Sequence, residues 1–363
     1  MGWVRGGSLR LLRRRTALIF PGDLGTLTGG YVYDRRAFAA LQDRGWRVNR
    51  LSLSGGFPFP DDHALAAADA ALGSLPDGLT AVVDGLALGA MPGAAARHGG
   101  RLALVGLIHH PLCIETGLEF CAAEQLRASE RAALAWCQRV IVTSPLTART
   151  VVAEFGVPAE RVTVALPGVD PAPVASGSAP RWPHLLCVGT LTPRKGHLLL
   201  LEALAGLLDL DWTLTCVGSA ERDPAMAAQV RETIAVLGLG DRVSLVGELS
   251  EEALSAAYAR ADVLVSASFY EGYGMALAEG LARGLPIVAA AAGAVADTVP
   301  RSAGLLVPPL DRQALTVALR QVLGEPDIRR RLHEGALAAR EGLPRWADTA
   351  TAIEQALLAC EMS

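Results

Sequence analysis

Short apolar runs alternate with helical patterns along most of this chain. The first run, Thr16 to Phe20, is followed by a glycine-rich loop and by a helical pattern from Tyr31 to Arg44. The same order recurs up to residue 170 and begins again at Leu185. Because neighbouring parallel strands need a crossover segment, usually a helix, this alternation predicts an α/β protein with two parallel sheets.

A proline-rich segment, residues 171–183, lies between the two series and shows neither a helix nor a strand pattern. Such a composition is typical of a linker. We therefore predict five divisions of the chain: a basic tail over 1–15, a Rossmann-like domain over 16–170, a linker over 171–183, a second Rossmann-like domain over 184–343 and a closing helical segment over 344–363.

The stretch ADVLVSASFYEGYGMALAEGLARGLP, residues 261–286, combines a short apolar strand, a turn with glycines and a helical pattern that begins at Met275. In a parallel sheet such a turn lies at the carboxyl edge, and the unpaired N–H groups of the new helix favour a phosphate. Glu271 and Glu279 bracket the helix start, and carboxylates accept hydrogen bonds from sugar hydroxyls. The segment therefore predicts a nucleotide-sugar site, although two carboxylates at this spacing, taken alone, are usually solvated surface groups.

The loop Gly189 to Gly196 follows a predicted strand and places Arg194 and Lys195 beside the start of the next helix. Two cations at a helix start oppose the helix dipole unless an anion is bound there. Arginine can grip two phosphate oxygens at once, and lysine supplies a compact charge. We predict that this pair binds a diphosphate; a solvated basic turn is the alternative.

Two adjacent histidines, His109 and His110, end the predicted strand Leu102 to Ile108. Since neighbouring strand residues face opposite sides, at most one of them is expected to point toward a ligand, and the sequence does not say which. Gly29 and Gly30 precede the first helix, where the lack of side chains permits close approach of a ligand. Their spacing is not the G-x-G-x-x-G dinucleotide fingerprint, so the sequence does not support a hydride-transfer activity.

The composition narrows the class of protein. The 363 residues are 51% hydrophobic and carry a formal net charge of −4, which argues against a general nucleic-acid binder. No uncharged apolar run reaches 18 residues, so no transmembrane helix is predicted. The six cysteines form no C-x-x-C pair, so their spacing indicates neither a zinc site nor a disulfide scaffold, and buried reduced thiols are expected instead.

The beginning of the chain is strongly basic, with no acidic residue before Asp23. Its arginines are Arg5, Arg10, Arg13, Arg14 and Arg15. A frayed tail explains this pattern, and peripheral contact with an anionic membrane face is the second interpretation. Together with the reduced thiols, we expect a cytoplasmic protein, with membrane association through this tail as the alternative.

Several catalytic signatures do not occur in the sequence. There is no G-x-S-x-G, no H-E-x-x-H and no P-loop, so hydrolase, zinc-peptidase and NTPase activities lack their characteristic groups. The cations Arg194 and Lys195 would themselves neutralise a diphosphate. We therefore expect no cofactor and no metal ion.

In chain order, these motifs resemble those of retaining glycosyltransferases of family 4, the group 1 type with the GT-B fold, over residues 16–360. The matching segments, from first to last, are Gly29-Gly30, His109, RVIVTSPLTARTVV, Pro167-Gly168-Val169-Asp170, Pro-Arg-Lys-Gly, ADVLVSASFYEGYG and Gly304-Leu305-Leu306-Val307-Pro308. An ordered set is far more specific than any one motif. The resemblance implies two Rossmann-like domains that face each other across a cleft, with the helix from Trp346 returning to the N-terminal domain.

The resemblance also implies which residues bind the donor, a nucleotide-diphosphate sugar. Arg194 and Lys195 would hold the diphosphate. The backbone amides of Gly274, Met275 and Ala276, at the start of the helix, would assist them. In this family the leaving phosphate helps to deprotonate the acceptor, so stabilising that phosphate is the main task of the protein.

The remaining candidates would contact the sugar. The resemblance assigns Glu271 to the donor sugar, Glu279 to the ribose and His109 to the sugar near its reacting carbon. Glu271 and His109 are therefore the catalytic candidates. Gly29 and Gly30 would approach the phosphates or the acceptor.

The sequence leaves the donor base, the sugar and the acceptor open; the acceptor could be a glycan, a lipid-linked sugar or a small molecule. Departures from the family pattern at Thr190, Ser266, Tyr273 and Asp297 remove no group that the chemistry needs. Two other functions fit the same residues. They are a nucleotide-sugar epimerase on a similar frame and a non-catalytic scaffold that binds a nucleotide-sugar.

Overall fold

The computed structural model describes residues 14–178 and 182–360, which form two compact units. Unit 1 comprises Met1–Gly168 together with Pro344–Ser363, and unit 2 comprises Val169–Leu343. Each unit is built on a six-stranded parallel sheet, as the alternating pattern predicts. Of the basic tail, Arg5, Arg10 and Arg13 lie outside the described residues.

The sheet of unit 1 has the strand order β2-β1-β3-β4-β5-β6. Its strands are β1 (Arg15–Pro21), β2 (Arg47–Leu53), β3 (Thr80–Asp84), β4 (Ala103–Ile108), β5 (Arg139–Val142) and β6 (Val162–Val164). Every residue of β3 and β4 is buried, as expected for central strands covered by helices on both faces. Because these strands pair in parallel, the carboxyl ends of β1, β3 and β4 lie at one edge of the sheet.

The α-helices described for unit 1 are α1 (Gly29–Asp43), α2 (Asp62–Gly73), α3 (Gly85–Leu88), α4 (Pro92–His98), α5 (Phe120–Leu134), α6 (Pro145–Phe155) and α14 (Trp346–Cys360). Side chains at their starts satisfy backbone N–H groups that have no partner within the helix. Thr28 accepts from the amide of Tyr31 at α1, and Ser144 accepts from the amide of Thr147 at α6. Gly156, in the left-handed conformation, ends α6.

Helix α14 packs on α1 within unit 1, although most of unit 2 separates the two helices in sequence. The buried carboxylate of Glu354 accepts from Arg44 Nε at 2.8 Å and from Trp46 Nε1 at 3.1 Å. Thr349 Oγ1 donates to the carbonyl of Leu166 at 2.7 Å. A Cβ on Gly168 would lie 2.3 Å from the Trp346 amide nitrogen, so this approach requires glycine.

The sheet of unit 2 has the strand order β12-β11-β10-β7-β8-β9. Its strands are β7 (His184–Val188), β8 (Thr213–Val217), β9 (Val243–Gly247), β10 (Val263–Ser266), β11 (Ile287–Ala290) and β12 (Gly304–Val307). Its helices are α7 (His197–Ala205), α8 (Pro224–Val236), α9 (Glu251–Arg260), α10 (Met275–Ala282), α11 (Val295–Thr298), α12 (Arg312–Gly324) and α13 (Pro326–Arg340). Trp212 and Leu204, both fully buried, belong to an apolar cluster of this unit.

The segment 171–183, for which the composition predicts a linker, is attached to unit 2 in its described part. The amides of Ser176 and Gly177 donate to the carbonyl of Ala259. The carboxylate of Asp262 accepts from Ser178 Oγ at 2.6 Å and from the amide of His184 at 2.7 Å. The partners of these contacts, Ala259 and Asp262, are about 80 residues away in sequence, so composition alone does not reveal them.

Among the described residues, no helix has both the length and the apolar character needed to cross a bilayer. The structure adds three short helices, α3, α4 and α11, that the sequence pattern does not predict. They contain four, seven and four residues, too few to display a helical periodicity.

Candidate functional site

Two loops of unit 2 meet at the carboxyl edge of its sheet. One joins β7 to α7 and the other joins β10 to α10. Gly196 in the first loop has φ +65°, and a Cβ there would lie 2.1 Å from the carbonyl oxygen of Ala267 in the second. The amide of Phe269 donates to the carbonyl of Arg194 at 2.7 Å. This close backbone contact, possible only with glycine, fixes the two loops against each other.

The contact brings together three residues that the sequence predicts for donor binding. Lys195 Nζ lies 2.6 Å from Glu271 Oε1. Arg194 Nη1 lies 3.9 Å from Glu271 Oε2 and donates to the carbonyl of Tyr270 at 2.8 Å. The side chains of Arg194, Lys195 and Glu271 are 19%, 20% and 12% exposed, so the cations are held firmly but can still be reached by a ligand.

The carboxylate of Glu271 is ionised at neutral pH. Burial alone would raise its pKa, but the charges of Lys195 and Arg194 and hydrogen bonds from Lys195 and Ser268 together hold the pKa below its ordinary value. An anion that takes Lys195 away from Glu271 must therefore replace a strong ion pair.

The backbone of Glu271 is fixed by a second glycine contact. Gly293 has φ +61°, and a Cβ there would lie 2.2 Å from the Glu271 carbonyl oxygen. That oxygen accepts from the amide of Ala294 at 2.9 Å. The turn after β11 thus positions the backbone of Glu271, and no local signal around Glu271 predicts this support.

Helix α10 begins immediately after the loop that carries Glu271, with Gly274 as its N-cap at φ +92°. Among the described side chains, none caps this helix start. The first amides of any helix have no partner within the helix, so those of Met275 and Ala276 are available to an anion. The structure therefore places Gly274, Met275 and Ala276 as predicted, at an uncapped helix start.

Glu279 lies one turn into α10 and is held by a tyrosine that the sequence reading missed. Its Oε2 accepts from the hydroxyl of Tyr258 at 2.9 Å. Tyr258 is fully buried, and Arg283 lies over its ring with 4.5 Å between the guanidinium carbon and the ring centroid. Burial, followed by the charge of Glu279, raises the pKa of Tyr258 well above its usual value, so the hydroxyl stays a donor to Glu279.

The unit 1 candidates Gly30 and His109 also lie together. A Cβ on Gly30 would be 3.3 Å from His109 Cδ2, so the start of α1 and the end of β4 approach closely. Gly29 is the first residue of α1. His109 Nε2 lies 3.2 Å from Asp34 Oδ1, and the ring packs edge-on against Tyr33. His110 instead pairs with Glu115 at 3.2 Å, so the two histidines face different surroundings.

Asp34 and Asp84, which the sequence reading also missed, surround His109 with buried carboxylates. Burial, together with the charge of Asp34, raises the pKa of Asp84 to about 7. Burial would lower the pKa of His109, but Asp34 and Asp84 outweigh it and raise the pKa above its ordinary value. Within the described part of the chain, Asp34 Oδ2 has no hydrogen-bond partner. The ligand atoms of Asp34, Asp84 and His109 lie within 4.8 Å of one another. They are therefore close enough to share either a proton or a bound cation.

We expect this group to make unit 1 less stable as pH rises. Folding raises the pKa of Asp84 and of His109, so the protonated forms stabilise the fold. The Asp84 contribution is fully present below about pH 4 and is lost through pH 7; that of His109 is present below about pH 6.5 and is lost above it. Between pH 6 and 8 the free energy of unfolding should fall by roughly 1 kcal/mol from Asp84.

Urea denaturation of the wild type and of Asp84→Asn at pH 6 and pH 8 measures this effect. Asp84 is the N-cap of α3 and accepts from the amide of Leu86 at 2.7 Å. Asparagine can keep this cap but cannot ionise, so the variant should lose the Asp84 part of the slope. Asp77→Asn removes an exposed carboxylate of unit 1, 83% accessible, and should keep the wild-type slope. An unchanged slope in Asp84→Asn would show that Asp84 does not titrate in this range.

Comparison with known proteins gives two family matches. The family model described as "Glycosyl transferases group 1" matches residues 173–338, and the one described as "Glycosyltransferase Family 4" matches residues 82–173. Together they cover most of unit 2 and the second half of the unit 1 sheet.

Among curated relatives, the chain is similar to the MMP alpha-(1->4)-mannosyltransferase of Mycolicibacterium hassiacum. The two are 29% identical over 294 residues, which cover 77% of this chain and 70% of the relative. It is also similar to the D-inositol 3-phosphate glycosyltransferase of Nocardia farcinica, 30% identical over 237 residues, 61% of this chain and 52% of the relative. The chain thus matches only about half the length of the second relative.

Among solved structures, sucrose-phosphate synthase from Thermosynechococcus elongatus superposes with a TM-score of 0.81 at 24% identity, covering 96% of this chain and 99% of that one. The Anabaena protein HepE in complex with UDP and glucose superposes with a TM-score of 0.72 at 18% identity, covering 94% and 99%. At these sequence identities the superpositions show only that the fold is the same.

Proposed function

Because this chain belongs to the group 1 glycosyltransferases and has their two-domain GT-B fold, we propose that it transfers a sugar from a nucleoside-diphosphate sugar to an acceptor, with retention of the anomeric configuration. The observation that carries the proposal is the pairing of Lys195 and Arg194 with Glu271 beside the uncapped start of α10. These groups match the diphosphate and the hydroxyls of such a donor.

The leaving diphosphate is the centre of the chemistry. As the bond between the sugar carbon and the phosphate oxygen breaks, negative charge develops on that oxygen. Lys195 and Arg194 stabilise this charge, together with the amides of Met275 and Ala276. The acceptor oxygen forms the new bond on the same face of the sugar, and its proton passes to the departing phosphate oxygen.

The carboxylates act on the hydroxyl groups of the donor. When the diphosphate engages Lys195, Glu271 is released from its 2.6 Å ion pair and accepts from a hydroxyl of the donor sugar. Glu279, oriented by Tyr258, accepts from the ribose. In unit 1 we assign His109, held by Asp34, to binding a substrate sugar. Two cations balance the diphosphate charge in this scheme, so transfer proceeds without a metal ion.

Two other functions, a nucleotide-sugar epimerase and a non-catalytic scaffold, would use the same binding groups. No observation favours either over transfer, and the named relatives are sugar transferases or synthases. An epimerase would convert the donor sugar in the absence of any acceptor, so product analysis separates it from a transferase.

Thermal denaturation with UDP, GDP, ADP and TDP is the first test. UDP is the probe to begin with, because HepE was solved with it. A nucleotide present at 100 times its dissociation constant stabilises the fold by about 2.7 kcal/mol, so one base should raise the melting temperature clearly. The absence of a shift with all four nucleotides would contradict a donor site.

The identified nucleotide then selects the donor sugars for an acceptor screen. The proton NMR spectrum of the product gives the anomeric configuration of the new glycosidic bond; inversion relative to the donor would overturn the retaining mechanism. Turnover should not require added Mg²⁺ or Mn²⁺, and an activity that depends on either ion would overturn the metal-independent scheme.

A further inference from the structure

A second group of chemically reactive side chains lies inside unit 2, where the loop that carries Lys195 leads into α7. Cys187 on β7 and Cys216 on β8 are register partners in neighbouring parallel strands. His197 is the first residue of α7. The three side chains are buried, with exposures of 4%, 4% and 2%. One ligand atom from each lies within 4.8 Å of the other two.

The imidazole of His197 indicates that this group of side chains binds a ligand. Within residues 14–178 and 182–360, neither ring nitrogen of His197 has a hydrogen-bond partner of good geometry; the ring faces the weak thiol of Cys187. Buried polar side chains almost always have a partner, and leaving one without it destabilises the fold. The neighbouring groups are thiols, which are weak hydrogen-bond partners but strong metal ligands once deprotonated. The unsatisfied ring is therefore an observation independent of the clustering.

We propose that Cys187, His197 and Cys216 bind one thiophilic divalent cation, Zn²⁺ being the ion tested first. Two thiolates and an imidazole are a familiar zinc ligand set that leaves a further position for water or another ligand. Binding releases the two thiol protons to solvent, and the two thiolate charges then cancel that of the cation. A monovalent Cu⁺ would leave a net negative charge in an apolar interior, which disfavours it.

The position of the group gives the ion a structural role. His197 directly follows Gly196, which closes the loop bearing Arg194 and Lys195. A bound ion would join the start of α7 to β7 and β8. It would therefore fix the end of this loop, at Gly196, against the sheet. None of the three ligands belongs to the groups assigned to the donor, so the ion takes no part in the transfer step.

Metal content and metal titration test the proposal. Protein purified under reducing conditions should contain about one equivalent of zinc by elemental analysis. Protein stripped by a chelator should bind Co²⁺ with a thiolate-to-cobalt charge-transfer band in the near ultraviolet, and Zn²⁺ should displace it. Cys187→Ser and Cys216→Ser should each weaken Zn²⁺ binding by more than the 10- to 100-fold typical of losing an outer-shell partner.

Cys137→Ser is the matched control, because Cys137 is equally buried, at 2%, but lies in unit 1 away from the group. It should retain full metal binding. The titration of the wild type needs no variant, so a misfolded serine variant does not block the test. A reduced wild type that binds neither Zn²⁺ nor Co²⁺ overturns the proposal, as does a disulfide between Cys187 and Cys216 in freshly reduced and purified protein. These readouts do not depend on sugar transfer, so the two proposals fail separately.

Discussion

Replacing Lys195 with alanine lowers the rate of sugar transfer by about 100- to 1000-fold, the loss that follows removal of one preorganised donor to a developing anion. Lys195 Nζ lies 2.6 Å from Glu271 and is only one-fifth exposed. Its charge is therefore fixed in place before the diphosphate leaves. Arg194 remains in the variant, but its guanidinium is also engaged by the Tyr270 carbonyl and cannot cover the vacated position.

The rate at saturating donor and acceptor measures this effect, since an affinity defect alone would disappear at saturation. Arg312→Ala is the control: Arg312 is an exposed cation of the same unit, 3.8 Å from Glu202, and its loss should leave the rate within about twofold because surface ion pairs contribute little. The double variant Lys195→Ala with Glu271→Gln removes the buried charge left by the single change, and should regain stability without regaining activity. Wild-type turnover in folded Lys195→Ala would refute the assignment.

Replacing Gly196 with alanine should lower the free energy of unfolding by about 3–4 kcal/mol, near the upper end of single-residue effects. Two causes add together. The backbone is left-handed at φ +65°, which costs a residue with a side chain about 1–2 kcal/mol. In addition, the new Cβ would lie 2.1 Å from the carbonyl oxygen of Ala267, so the two donor loops must separate.

Gly238→Ala separates these causes. Gly238 has nearly the same backbone angle, φ +66°, and no described atom lies within 4 Å of the Cβ it would gain. It should therefore lose only the backbone part, about 1–2 kcal/mol. Urea denaturation of both variants gives the difference, which belongs to the contact between the loops. Equal losses in the two variants would show that Gly196 serves the turn alone and does not hold the loops together.

The sequence predicts the regular elements well where the physical signal is local. The pattern predicts helices over Pro326–Arg340 and Trp346–Cys360, and α13 and α14 have those bounds. Proline at the first position of α13 fixes its start. Central strands such as β4 are buried on both faces and therefore read as continuous apolar runs. Short elements such as α3 carry no such signal.

The same limit applies to the site. Arg194, Lys195 and Glu271 can be found from the sequence because each stands on a loop between a strand and a helix, at the edge where parallel sheets bind ligands. Tyr258 and Asp34 could not be found, because each lies inside an amphipathic helix and looks like an ordinary residue there. Only tertiary packing shows that they hold Glu279 and His109.

The cysteines show a further limit of prediction from sequence. Cys187 and Cys216 are 29 residues apart, which matches no metal-binding spacing, and the sequence therefore argues against a zinc site. Their proximity arises from the register of two parallel strands. Register depends on how the whole sheet packs, so spacing rules based on local motifs cannot detect such a pair.

Because unit 1 includes helix α14, it cannot complete its fold until unit 2 has been synthesised. Domains generally fold as they are synthesised, the N-terminal one first. Here Arg44 and Trp46 are made early, yet their partner Glu354 emerges only after all of unit 2. Unit 2, being continuous in sequence, can finish folding first. Until α14 is synthesised, the surface of α1 that it covers stays exposed on the nascent chain, so the N-terminal unit is the last to be completed.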